Sequence, residues 1–213
     1  MRALVVIAGM VVQACFAQSA SADPSKSPRP ATPSPFMRVY ASAAPPFGFV
    51  QFCERMPSEC AAHGTNAPRF HASPARLSEL DHVNRRVNAD IEPATDQELY
   101  GVVEYWTLPT TRGDCEDYAL LKRQVLMDRG WPASALLMTV VRDDQGDGHA
   151  VLTVRTTQGD FILDNKVSDI KLWHQTGYAF MMRQSYVEPR LWMSLAPDAQ
   201  DRASTPTSKP ARR

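Results

Sequence analysis

The chain has 213 residues, 44% of them hydrophobic, with 23 basic and 23 acidic side chains. That composition is ordinary for a globular protein of one domain with tails. A net charge of zero leaves no electrostatic footprint for nucleic acid or an anionic membrane surface, so neither is expected as a partner.

The first 22 residues read as a secretory signal peptide. Arg2 is the positive start, Ala3 to Val12 the short apolar run and Ala20-Ser21-Ala22 the small-x-small cleavage site. The stretch is too short to span a bilayer. Two alternatives stand beside it: an uncleaved anchor, and lipid attachment at Cys15 in Val-Gln-Ala-Cys. Cleavage after residue 22 would leave 22 basic and 23 acidic groups. The expected location is the periplasm or the exterior.

Residues 23–46, rich in Pro, Ser and Ala, read as a linker that cannot bury enough apolar surface to fold alone. The folded unit is expected over 47–195, with a frayed polar tail over 196–213. Cys53 and Cys60 lie seven apart. In an oxidising compartment that spacing favours a disulfide closing a short loop and leaves Cys115 as an unpaired thiol. A bridge from Cys115 to Cys53 or Cys60 is the rival pairing.

Leu77, Leu80, Val83, Val87 and Ile91 recur at three and four, which predicts an amphipathic helix over about 75–91 started by Ser73-Pro74. A short helix is expected over 96–106. A second strong helix runs from Asp114 to Arg129, with Asp114 and Asp117 at capping-box spacing and Gly130-Pro132 as its stop. The period then changes. Residues 136–142, 150–156 and 160–163 are short strands with a loop over 143–148 and a turn over 157–159. An aromatic-rich segment, 170–192, closes the sheet. Helices followed by an antiparallel meander make the fold class α+β.

Chemistry concentrates at Gly113-Asp114-Cys115-Glu116-Asp117-Tyr118-Ala119. A thiol in the first turn of a helix gains thiolate character from the dipole and the free N–H groups. His149 opens one strand and Asp164 ends the next. With a two-residue hairpin loop they fall on the same face as diagonal neighbours, the carboxylate orienting the imidazole and the imidazole facing the sulfur. Asp114, Glu116 and Asp117 oppose this by raising the thiol pKa, so a compensating cation is needed. Three carboxylates on one turn are oxygen ligands suited to Ca²⁺, although a solvated acidic cap reads equally from the string. The bland alternatives are a buried cysteine and a structural histidine. His63, His71, His82 and His174 belong to no motif, and no zinc-ligand spacing joins Cys115 to His149.

The heptapeptide, then Gly148-His149-Ala150-Val151-Leu152, then Leu163-Asp164-Asn165, resembles the bacterial transglutaminase-like cysteine proteinases over about residues 47–195. That resemblance implies a transglutaminase/papain-like fold with Cys115 as nucleophile, His149 as base and Asp164 as orienting group. It also implies calcium at Asp114, Glu116 and Asp117, with no cofactor required for the chemistry itself. Trp106 is implied as a second oxyanion donor beside the Cys115 N–H. By the same resemblance the substrate is a cell-envelope or surface protein such as a biofilm adhesin, and an inner-membrane regulatory receptor is a partner. A monomer is expected. The competing functions are an amide or acyl transferase, such as a transglutaminase or amidase, and a catalytically silent binding module.

Overall fold

Leucines and valines at helical spacing between residues 74 and 90 meet β-branched runs between 136 and 163, and the computed structural model packs one set on the other. It describes residues 33–62 and 69–197. The expected signal peptide, the Cys15 alternative, the first part of the Pro-rich arm, His63 and the tail from residue 198 lie outside the described residues.

Four helices are present among the described residues: α1 (Phe47–Arg55), α2 (Pro74–Asp90), α3 (Asp96–Tyr100) and α4 (Cys115–Asp128). The start of α2 follows the sequence closely. Ser73 caps it by accepting from the Arg76 N–H, and Pro74 occupies the first helical position. α3 is shorter than expected, because Gly101 turns left-handed at φ 73° and ends it. α4 stops at Arg129, and Gly130 follows at φ 82°.

The main sheet has seven antiparallel strands: β1 (Ala41–Ala43), β4 (Leu136–Arg142), β5 (Gly148–Thr156), β6 (Gly159–Leu163), β7 (Lys171–Leu172), β8 (Ala179–Gln184) and β9 (Trp192–Ser194). Their order is β1-β9-β8-β4-β5-β6-β7. A separate two-stranded parallel pair joins β2 (Glu92–Pro93) to β3 (Arg112–Gly113), just ahead of α4.

Alternation along the strands sorts two cores. Leu136, Met138, Leu152, Val154 and Leu163 face the helices and pack with Leu80, Val83, Val87 and Leu126. Val141, Val151, Ile162 and Phe180 form a smaller cluster on the other face with Met37 and Leu195. Each such side chain contributes about 1.5–3 kcal/mol on full burial. α4 lies against β4 and β5, and α2 against α4 and β6, so the thiol-bearing helix rests directly on the histidine-bearing strand.

The Pro-rich stretch is not wholly a linker, contrary to the expectation that it runs to residue 46. Residues 41–43 pair with β9, Met37 is buried, and its N–H donates to Asp160 Oδ2 at 2.7 Å. A strand of three residues leaves no periodicity to read, and its partner lies about 150 residues away. Cys53 and Cys60 are bridged, with Cα atoms 5.5 Å apart, and Cys115 is free, so the rival pairing is absent. Among the described residues no helix is long and apolar enough to cross a membrane.

Candidate active site

The first turn of α4 is shaped by the residue before it. A Cβ on Gly113 would meet the Asp117 side chain at 2.7 Å, so only glycine lets that carboxylate fold back under the turn. Asp114 holds the N-cap position without a side-chain cap bond; its Oδ2 accepts from the Asp96 N–H instead, at 3.2 Å. Asp117 Oδ1 accepts from the Thr107 N–H at 2.8 Å. The expected capping box is therefore not formed. The two carboxylates instead accept from the first N–H of α3 and from the N–H of Thr107 in the segment that follows it.

Cys115, next in the chain, faces a cleft of about 280 Å³ that it shares with His149, Trp106, Glu104 and Met182. Its Sγ accepts from the Ala150 N–H at 3.3 Å and its thiol donates to Glu116 Oε2 at 3.2 Å. Burial first, and then the Glu116 carboxylate, push the thiol well above its ordinary value.

His149 lies at the start of β5, opposite Val141. The β5–β6 hairpin pairs Thr156 with Gly159, which leaves the two-residue loop that the same-face argument needs. Asp164 follows β6 directly, and His149 Nε2 and Asp164 Oδ1 lie 2.8 Å apart. With Nε2 engaged, Nδ1 is the nitrogen left for the cleft. Asp164 is held on every side. Oδ1 also accepts from the Lys166 N–H at 3.0 Å, and Oδ2 accepts from the Tyr178 hydroxyl at 2.6 Å. Two amides of α2 grip its backbone: Asn84 Oδ1 accepts from its N–H at 3.0 Å, and Asn88 Nδ2 donates to its C=O at 2.8 Å. Burial by itself would raise the Asp164 carboxyl. The bonds from His149, Tyr178 and the Lys166 N–H outweigh it and hold the group below the usual carboxylate value.

Sequence reasoning missed Tyr178, Asn84 and Asn88 as supports. Asn84 did leave a signal, since it interrupts the buried stripe of Leu80, Val83 and Val87 and is itself fully buried. A polar residue where the period calls for an apolar one has a specific partner.

On the other side of the sulfur the carboxylates crowd. Asp96, Asp114 and Glu116 each offer an oxygen within 4.8 Å of the others. Glu116 is pushed up to about 9 by burial and then by Asp114, and Asp117 to about 7, chiefly by burial. Asp96 and Asp114 are raised as well, burial being the largest cause for each. Among the described residues, Asp96 Oδ1, Asp114 Oδ1 and Asp117 Oδ2 are buried without a hydrogen-bond partner. Such a donor set fits a hard divalent cation. Of the expected trio, Asp114 and Glu116 converge with Asp96 from the start of α3, where nothing in the sequence separates it from an ordinary helix-start aspartate, while Asp117 Oδ1 accepts from Thr107 and its Oδ2 stays open.

Trp106 lines the cleft, but its indole N–H donates to Glu104 Oε2 at 2.9 Å. As the site stands, that donor is engaged by Glu104 rather than open to an oxyanion. His71, His82 and His174 lie outside the cleft lining.

The family described as bacterial transglutaminase-like cysteine proteinase BTLCP matches residues 39–200. The chain belongs to that family, and it is a cysteine peptidase acting on a protein substrate. Solved structures similar to it include calcium-bound LapG of Legionella pneumophila, 22% identical, covering 73% of this chain and 86% of that chain with a TM-score of 0.48. LapG of the same organism is also similar, at 23% identity over 68% and 77% of the two chains and a TM-score of 0.47. No curated protein matches the sequence.

Proposed function

We propose that the protein is an exported endopeptidase in which Cys115, His149 and Asp164 act as one catalytic unit. The sulfur attacks a peptide carbonyl while His149 takes the thiol proton. His149 then returns that proton to the leaving amine, and a thioester on Cys115 remains. Water, deprotonated by His149, attacks the thioester and releases the new carboxyl end with the thiol restored. Asp164 fixes the tautomer and ring orientation and stays ionised throughout. The Cys115 backbone N–H, in a helix turn with no intrahelical acceptor, is a donor for the oxyanion. The observation that carries this reading is the 2.8 Å bond from His149 to an Asp164 held by four further hydrogen bonds, in a residue that shares its cleft with Cys115.

Calcium is part of the proposal. Asp96, Asp114 and Glu116 would hold it through one oxygen each, and the orphaned Asp96 and Asp114 oxygens support the fit. When bound, the ion supplies positive charge beside carboxylates that otherwise oppose thiolate formation. Calcium in LapG is a property of that protein; here the carboxylate set is the support.

The disulfide and the leader-like first 22 residues support a periplasmic or secreted location, and hence an envelope or surface protein as substrate, with a biofilm adhesin as one such target. An inner-membrane receptor is proposed as the regulator. Proteomics of envelope and secreted proteins with and without Cys115→Ala tests the substrate class. Fragments that vanish in the variant support it, and an unchanged set of fragments refutes it.

A further inference from the structure

The short helix α1 is apolar on both faces. Gly48, Phe49, Phe52 and Cys53 are buried, yet Phe47 and Val50, three residues apart on the other face, stand in solvent, Phe47 at 72% exposure. A second apolar run follows α3. Beyond Gly101, Val102 and Val103 are exposed, Val103 at 85%. With Tyr100 these make five of the eight exposed large hydrophobics among the described residues. Scattered singly they would need no explanation, but they are gathered in two short segments, and a gathered apolar patch marks a surface that another molecule covers.

The two segments meet along one wall of the cleft that holds Cys115. Pro46, just before Phe47, and Glu104, just after Val103, both line that cleft. The Gly48 backbone abuts the second segment: a Cβ there would meet Trp106 Cδ1 at 2.5 Å and Glu104 Oε2 at 3.0 Å, so glycine permits the approach. Arg55, at the end of α1, donates to the Trp106 C=O at 2.8 Å. Glu104 accepts from the Trp106 indole N–H at 2.9 Å, and the Tyr100 and Tyr105 rings lie 4.6 Å apart. The apolar rim and the carboxylate at its inner edge are therefore tied into one surface.

What covers this rim follows from the reaction. An endopeptidase cuts an internal bond, so the substrate chain enters and leaves the cleft across its edges. At about 3.3 Å per residue, about two or three residues to either side of the cut carry the chain beyond a cleft of about 280 Å³. Among the described residues that line the cleft there is no Lys or Arg, and Glu104 stands where the rim meets it. An acidic side chain placed there meets a like charge, whereas an apolar one gains burial.

We propose that Phe47, Val50, Val102 and Val103 form a substrate-docking rim that seats an extended, apolar and non-acidic stretch of the protein substrate beside the bond that is cut. This rests on the reading of the Cys115 cleft as the peptidase site. None of the four lines the cleft itself, so they act on binding and not on bond breaking, and their loss raises KM with kcat unchanged.

The test supplies purified protein, in millimolar calcium, with graded amounts of an envelope protein fraction from cells carrying Cys115→Ala, and follows fragment release by mass spectrometry. The double variant Phe47→Ser/Val103→Ser should need about tenfold more of the fraction for half-maximal rate, reach the same maximal rate, and alkylate Cys115 with iodoacetamide as wild type does. Val187→Ser/Leu191→Ser, at exposed apolar residues outside the cleft lining, should behave as wild type. An unchanged half-maximal amount in the first variant, or an equal rise in the second, overturns the proposal. If the first variant cuts normally when purified but releases no fragments in cells, the rim serves a regulator and the proposal falls. If wild type itself releases no fragment that depends on Cys115, the peptidase reading falls and the rim with it. The fragment ends from wild type decide independently of any variant: the residues bordering the cut should be apolar and lack Asp and Glu, and a cut bordered by acidic residues contradicts the proposal.

Discussion

The two flanks of the Cys115 sulfur are built on opposite principles. On the His149 flank the deciding carboxylate, Asp164, accepts three hydrogen bonds, has its backbone gripped by two asparagines and is held below the ordinary carboxylate range. On the α4 flank, Asp96, Asp114 and Glu116 converge with raised values, and among the described residues Asp96 Oδ1 and Asp114 Oδ1 have no hydrogen-bond partner. Fully satisfied polar networks are rigid, whereas half-satisfied ones are costly. The first flank is preorganised by the protein alone. The second is complete only with protons or a cation.

Four outcomes would break or sharpen that contrast. The largest is loss of all peptidase activity in Cys115→Ala with thermal stability nearly unchanged, read by cleavage of an envelope protein fraction and by calorimetry. Residual cleavage would move the nucleophile elsewhere. Next, Asp164→Asn should keep the fold and lose about 10³–10⁴-fold in kcat, because the imidazole loses its fixed tautomer. A loss of only a few-fold would mean that the preorganised flank does not matter to the chemistry.

The third outcome concerns the acidic flank. Glu116 near 9 and Asp117 near 7 are raised above their unfolded values, so the folded state holds protons that the unfolded chain has released. Their contribution to stability is fully present below about pH 4 and is lost as pH rises through about 7 and then about 9. In chelator the melting temperature should therefore fall between pH 5 and 9. Millimolar calcium should flatten that fall, and Asp96→Asn should weaken calcium binding by about tenfold or more, through loss of one charged ligand. Calorimetry showing no calcium binding would remove the cation from the account. The smallest effect belongs to the Cys53–Cys60 bridge, which is not part of the cleft lining. Reduction should cost about 2–3 kcal/mol of stability, seen by denaturant titration, while Cys115 reactivity in the folded protein stays the same.

The parts legible in the sequence were those with a strong local signal. α2 and α4 followed their apolar period, β4 to β6 followed their β-branched runs, and the two-residue hairpin brought His149 and Asp164 together as their spacing required. What escaped depends on contacts far apart in the chain. β1 becomes a strand only because β9 is there to pair with it. Asp96 enters the carboxylate cluster because the pairing of β2 with β3, far apart in the chain, sets the starts of α3 and α4 side by side. Trp106 spends its N–H on Glu104, two residues away, rather than leaving it open to an oxyanion. Asp114 and Asp117 looked like caps because local rules reward capping, yet it is the backbone N–H groups of Asp96 and Thr107, distant in sequence, that donate to them.

The central claim is that His149 makes Cys115 a nucleophile, and the most direct measurement is the pH dependence of Cys115 alkylation in millimolar calcium for wild type and His149→Ala. The account predicts a wild-type midpoint well below the value of about 8.5 for a free thiol, and a midpoint more than about one unit higher in the variant. Two superimposable profiles, both with the midpoint of a free thiol, would contradict it.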